Sequence, residues 1–127
     1  MPESYAAAAL RHRRDAAALA ETNRQDGAGY LIGYAAECAI KSHLESQNTE
    51  REKLRKNHLP KLIDQAKKLL QGRKSGPLLT ILNIQDFMMG WKVELRYEED
   101  GIVSKENYAR WLAHANRAIG AANLRQQ

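Results

Sequence analysis

The sequence predicts an all-α fold, an up-and-down bundle of about five helices, on three observations. Ala occurs 19 times and Leu 15 times in 127 residues, whereas Val occurs twice and Thr three times. Helices favour Ala, Leu and long straight side chains, while strands favour β-branched ones. Apolar residues recur at helical spacing in most segments, and the breaks between those segments are short. At 43% hydrophobic and 28% charged residues the composition is that of a folded globular chain. Its length suits one domain over residues 1–127.

The first helix is expected from Tyr5 to about Asn23. Ser4 is placed to cap it, its hydroxyl accepting one of the N–H groups that a first turn leaves unpaired. One face carries Tyr5, Ala8, Ala9, His12, Ala16, Leu19 and Ala20, mostly small residues that allow close helix approach, and His12 reads there as a core-edge histidine. Gln25-Asp26-Gly27 is a break in which Asp26 is placed to cap a second helix, from about Gly27 to Gln47. That helix is apolar around most of its circumference, the pattern of a central helix. It nevertheless holds Glu37 and Lys41, four apart in the favourable order and on one face, which Tyr30 and Tyr34 extend. A carboxylate there must be paired or sit at a cleft.

Asn48 to Asn57 is polar and strongly basic, in part an extension of the second helix. A third helix should run from Leu59 to about Leu70, with Pro60 in its first turn and a stripe of Leu59, Leu62, Ile63, Ala66, Leu69 and Leu70. A fourth should run from about Pro77 to Met89, with Met88 and Met89 as core filler. Val93 to Val103 reads as irregular, with a turn at Asp100-Gly101. Ser104 then caps a last helix from Lys105 to about Asn123. Its core stripe includes Tyr108, Trp111, Leu112, Ala115 and Ile119, and its other face shows Arg110, His114, Arg117 and Arg125.

Several function classes lose support. No apolar stretch is long enough to span a membrane, and the N-terminal residues lack the apolar region and cleavage site expected of a signal peptide. Cys38 is the single cysteine, which excludes an internal disulfide and a cysteine-based zinc cluster. The expectation is a cytoplasmic protein without metal or cofactor. The phosphate-binding glycine loops, the HExxH helix and the GxSxG elbow are absent. The net charge of +5 is concentrated: residues 51–74 hold nine Lys and Arg against Glu52 and Asp64. Such a run is the footprint of a phosphate-backbone binder, and equally the composition of a solvated helix face. Arg51, Arg55, Lys56 and Lys61 are the binding candidates within it. For metal-free RNA cleavage a histidine and an arginine suit proton transfer and phosphorane stabilisation. His58 and Arg96 are the catalytic candidates, with Tyr97 beside Arg96.

Three segments in order resemble the HEPN family (higher eukaryote and prokaryote nucleotide-binding). Ala28–Leu44 is similar to its A-x-x-x-a-x-Q/E-x-A-x-K helix. His58-Leu59-Pro60-Lys61-Leu62 resembles its H-[DN]-L-x-x-L helix entry, and Trp91–Tyr97 resembles its W-x-x-x-x-R-Y stretch. The resemblance covers about Ala7 to Ala122. It implies a small, often dimeric helical bundle that acts in defence or toxin–antitoxin systems. Some members are metal-independent ribonucleases with an R-x(4–6)-H motif at a dimer cleft; others are binding modules beside a nucleotidyltransferase-like protein. Arg96 matches the arginine of the R-Y stretch, but no histidine follows it at four to six residues, the next being His114. Arg51 and His58 have the spacing, before the third helix. The expectation is therefore a homodimeric interaction module related to RNA or nucleotide, with a nucleotidyltransferase-like antitoxin as partner. The alternative is a ribonuclease toxin, so enzymatic activity stays open. Arg96, Tyr97, Glu37, Lys41 and His58 are expected to converge: Arg96 on phosphate, His58 moving a proton, Glu37 orienting Lys41 or Arg96.

Overall fold

A computed structural model of the chain describes residues 4–46, 57–70, 76–98 and 100–122, with Arg96 described by its backbone alone. Among the described residues there are five α-helices and no strand. They are α1 (Tyr5–Glu21), α2 (Gln25–Ser46), α3 (Lys61–Leu70), α4 (Gly76–Leu82) and α5 (Lys105–Ala121), with a 3-10 turn at Val93–Tyr97 between α4 and α5. The chain is an all-α helical bundle. No helix among the described residues is long and apolar enough to cross a membrane.

The two serine caps form as local chemistry requires. Ser4 accepts from the Ala7 N–H at 3.1 Å and Ser104 from the Asn107 N–H at 3.0 Å. After Glu21 the chain reverses through Thr22–Arg24, with Asn23 at a φ of 60°. α1 and α2 are thereby antiparallel: Leu19 lies near Gly27, His12 against Tyr34, and Tyr5 beside Lys41. α2 is the central helix, and Ile32, Ala35, Ala36, Ala39, Ile40 and Leu44 have no exposed surface. Burying each Ile or Leu of that set contributes roughly 1.5–3 kcal/mol.

Two glycines of α2 admit indoles. A Cβ at Gly33 would lie 1.8 Å from Nε1 of Trp91, and one at Gly29 would lie 3.0 Å from Trp111. Trp91 Nε1–H donates to the Gly29 carbonyl at 3.0 Å, and Trp111 Nε1–H to the Met89 carbonyl at 2.9 Å. These contacts fasten the connection after α4, and α5 with it, onto α2.

Several expected boundaries and roles are corrected. α2 begins at Gln25, so Asp26 is inside its first turn and is not the cap. The Asp26 carboxylate instead accepts the N–H groups of Gly101 (2.7 Å) and Val103 (2.9 Å), tying the distant 100–103 turn to the start of α2. α3 begins at Lys61, after a cis Leu59–Pro60 bond. α4 ends at Leu82, well short of Met89. Residues 83–90 form successive turns that end with Met88 at a φ of 53° and Gly90 at 90°. Met88 is buried, but Met89 is 54% exposed and is not core filler. His114 is not on the outer face of α5. It is buried, its Nδ1 accepts the Met88 N–H at 2.9 Å, and its ring stacks on Phe87. The expected extension of α2 and the basic turn near Gly72 lie outside the described residues.

Candidate functional site

The site is built on the α2 face that carries Tyr30, Tyr34, Glu37 and Lys41. Glu37 and Lys41 are both buried, and Lys41 Nζ donates to Glu37 Oε2 at 3.1 Å. One helical turn separates them, so the bond needs only an ordinary helix. The ammonium also stands 5.6 Å from the centre of the Tyr5 ring of α1. His58 arrives from the segment that precedes α3. Its Nδ1 lies 3.0 Å from Glu37 Oε2 and 3.2 Å from Oε1. The next residue, Leu59, donates its N–H to Oε1 at 3.2 Å. Glu37 thus gathers an ammonium, an imidazole and a backbone N–H, which is how a carboxylate is accommodated in a dry interior.

An ionised carboxylate only accepts hydrogen bonds, so in its pair with Glu37 the His58 Nδ1 is the donor. The His58 side chain is 41% exposed, so a solute can reach it, whereas Glu37 behind it is 3% exposed. A buried carboxylate orienting a reachable imidazole is an arrangement suited to proton transfer.

Tyr34 connects this cluster to a pocket. Its ring meets His58 edge-on at 6.4 Å, meets Trp91 at 5.5 Å, and lies 5.8 Å from His12. The Tyr30 hydroxyl donates to that of Tyr34 at 2.9 Å. Between α1 and α2 a pocket of about 470 Å³ is lined by Tyr5, Arg11, His12, Tyr34, Glu37 and Lys41 among others. Burial is the main force that pushes the His12 pKa below its ordinary value, and the Arg11 guanidinium adds to it; Asp15 and Glu37 oppose them. The balance of these effects favours the uncharged form of the His12 ring.

The structure brings together Glu37, Lys41 and His58 of the expected cluster. Tyr97 is 77% exposed at the end of the 3-10 turn, so it stands outside the buried group. Lys61 is exposed in the first turn of α3. Arg51, Arg55 and Lys56 lie outside the described residues, as does the Arg96 side chain. The backbone that carries Arg96 starts from Trp91, which stacks on Tyr30 at 5.9 Å, on the face that also holds Glu37. Arg11, His12 and Tyr5 were not expected as site residues. Their signal was available: a three-residue reversal after Glu21 forces antiparallel docking, and each step back along α1 then meets a step forward along α2. Among the described residues no group of three or more His, Cys, Asp or Glu side chains could hold a metal ion.

No family model, no curated protein and no solved structure matches the chain.

Proposed function

We propose that this chain is a HEPN-like helical module that binds RNA or a nucleotide, as one member of a defence or toxin–antitoxin pair in the cytoplasm. The observation that carries the reading is the Glu37 cluster, where a buried carboxylate holds Lys41 and a solvent-reachable His58 beside a pocket with Arg11 at its rim. Cationic and imidazole donors beside aromatic rings suit phosphate and base recognition. The three segments that resemble the family support it: the α2 pattern supplies Glu37 and Lys41, the helix entry supplies His58, and the W-to-Y stretch supplies Trp91 and Arg96. In this reading the basic run, with Arg51, Arg55, Lys56 and Lys61, adds sequence-independent attraction for a phosphate backbone. The partners proposed are a second copy of the chain and a nucleotidyltransferase-like antitoxin.

A second reading, a metal-independent endoribonuclease, is favoured by one observation, the contact of His58 Nδ1 with the buried Glu37 carboxylate. There His58 would take the proton of the 2′-hydroxyl as that oxygen bonds to phosphorus, Arg96 would stabilise the phosphorane, and the P–O5′ bond would break with the proton passed back from His58 to the leaving 5′-oxygen. One experiment separates the two. The purified protein is incubated with single-stranded RNA in EDTA, and binding and cleavage are followed together for the native chain, His58→Ala and Arg96→Ala. Binding without cleavage, weakened in both variants, supports the module. Cleavage lost in both variants supports the nuclease. Neither binding nor cleavage by the native chain refutes both.

A further inference from the structure

The α1–α2 pocket has a composition that its neighbours do not share. The groove between α1 and α5, lined by Leu10, Arg13, Arg14 and Asn116, holds no buried charge, and its Arg13 is tied to Asn116 at 3.3 Å. The hollow around Met89, Ile102 and Trp111 is smaller, about 290 Å³, and is also lined by Lys92, Glu98 and Arg110; nothing indicates what would cover it. The α1–α2 pocket instead has a buried ion pair as its floor, with Arg11 exposed at its edge.

Charge decides what it can hold. Both Glu37 oxygens are already engaged by Lys41, His58 and the Leu59 N–H, so the carboxylate has little left to offer a cation. Arg11 has no ion-pair partner among the described residues and offers a planar fork of donors. The first turn of α1, from Ser4 to Ala8, forms another wall, with its Ala7 and Ala8 N–H groups already held by Ser4, so the charge at the rim comes from Arg11. His12 and Tyr34 add an imidazole and a phenol ring. The acidic group nearest on α1 is Asp15, one turn further along and exposed. At about 470 Å³ the pocket exceeds what a bare phosphate occupies and lies within the range of small-ligand sites, roughly 300–1,000 Å³.

We propose that this pocket binds a terminal phosphate group, held by Arg11 at the rim with Lys41 behind it, while the rest of a nucleotide lies along His12 and Tyr34. The inference deepens the nucleotide-related reading above and rests on it. The phosphate has two sources, a free mononucleotide or the phosphorylated 5′ end of an RNA, and the test separates them.

Amide and histidine-ring NMR signals of the full chain are followed during titration with AMP, adenosine, a 5′-phosphorylated RNA oligomer and its 5′-hydroxyl twin. The variants are Arg11→Ala and, as a control from the other groove, Arg14→Ala. AMP should shift His12, Tyr34 and Lys41, and adenosine should not. A charge-assisted bond is worth about 1.5–3 kcal/mol, so Arg11→Ala should weaken AMP by roughly 10- to 100-fold. Arg14→Ala should bind as the native chain does. A preference for the phosphorylated oligomer assigns the RNA end as the source, and binding of AMP alone assigns the free nucleotide. Equal binding of AMP and adenosine, or equal losses in the two arginine variants, overturns the proposal. If AMP is ignored and both oligomers bind alike, the terminal-phosphate site is wrong while RNA binding stands on another surface. If nothing binds, both fall.

Discussion

Replacing Glu37 by Leu removes the one group on which three donors converge. Glu37 and the Lys41 ammonium are both buried, so the variant leaves a cation in the interior without its counter-charge. Breaking a buried pair by deleting one partner costs about 3–5 kcal/mol. The buried Leu59 N–H also loses its acceptor, which costs about 1–3 kcal/mol, while His58, 41% exposed, can turn to water. The sum approaches the whole stability of an ordinary domain, roughly 5–15 kcal/mol, so Glu37→Leu is expected to be barely folded. The double variant Glu37→Leu with Lys41→Met removes both charges, and a buried pair exchanged for apolar groups is often neutral. It should recover about 2–4 kcal/mol over the single variant and retain only the penalty of the Leu59 donor. Glu37→Gln, which keeps an acceptor but not the charge, should fall between. Urea unfolding followed by far-ultraviolet circular dichroism measures all three against the native chain. A loss below about 1 kcal/mol in Glu37→Leu, or a double variant no more stable than the single one, would refute the account of this cluster.

Two further expectations concern the fold. Gly33→Ala places a methyl group 1.8 Å from Trp91 Nε1 and disturbs its bond to the Gly29 carbonyl. Overpacking of about 1–3 kcal/mol and a lost hydrogen bond of about 1 kcal/mol outweigh a helix-propensity gain of about 1 kcal/mol, so urea unfolding should show a net loss of about 1–3 kcal/mol. Gly120→Ala meets nothing within 4 Å and should gain about 0.5–1 kcal/mol, so opposite signs from one chemical change test the packing directly. His114 accepts a hydrogen bond on Nδ1 and is therefore neutral when folded. Burial first, then Arg117 and Arg110, hold its pKa below the ordinary value, against the pull of Asp86. Below about pH 6.5 the unfolded chain takes up a proton that the folded chain refuses, so this stability is complete above that pH and is lost as pH falls toward the folded pKa. His12 and His43 act in the same direction. His114→Gln should flatten the decline in stability between about pH 7.5 and about pH 5.5, and an unchanged slope would sink the argument.

Features governed by short-range chemistry could be read in advance. Ser4 and Ser104 cap because a hydroxyl three residues ahead of an N–H reaches it in any helix start. Glu37 and Lys41 pair because one helical turn separates them. Features that depend on distant partners could not. Asp26 looks like a cap until the backbone of residues 101 and 103 arrives to claim its carboxylate. The residues after Leu82 are apolar enough to continue α4, but they form turns instead, and at their end His114, from another helix, takes the Met88 N–H. His114 itself sits at a position that the apolar stripe of α5 leaves outside, and only the turn packed against it makes that position interior. In the site, His58 is 21 residues from Glu37, and periodicity carries no information over that distance. The residue types that metal-free RNA cleavage needs singled it out, and the resemblance in the helix entry added to that; the carboxylate beside it emerged from the packing.

The two tryptophans have a spectroscopic consequence. They are the only ones in the chain, and both indoles are lodged against α2 or the turn beside it, with their N–H groups on backbone carbonyls. Intrinsic indole emission therefore reports on a single seam, where residues 89–91 and α5 dock on α2. A red shift would mark that seam opening even while the helices persist, whereas the separation of α3 from the bundle would leave the emission dark to the event. Emission and circular dichroism thus watch different parts of this protein. Where their unfolding curves coincide, the seam and the helices come apart together; where they diverge, the seam is the part that yields on its own.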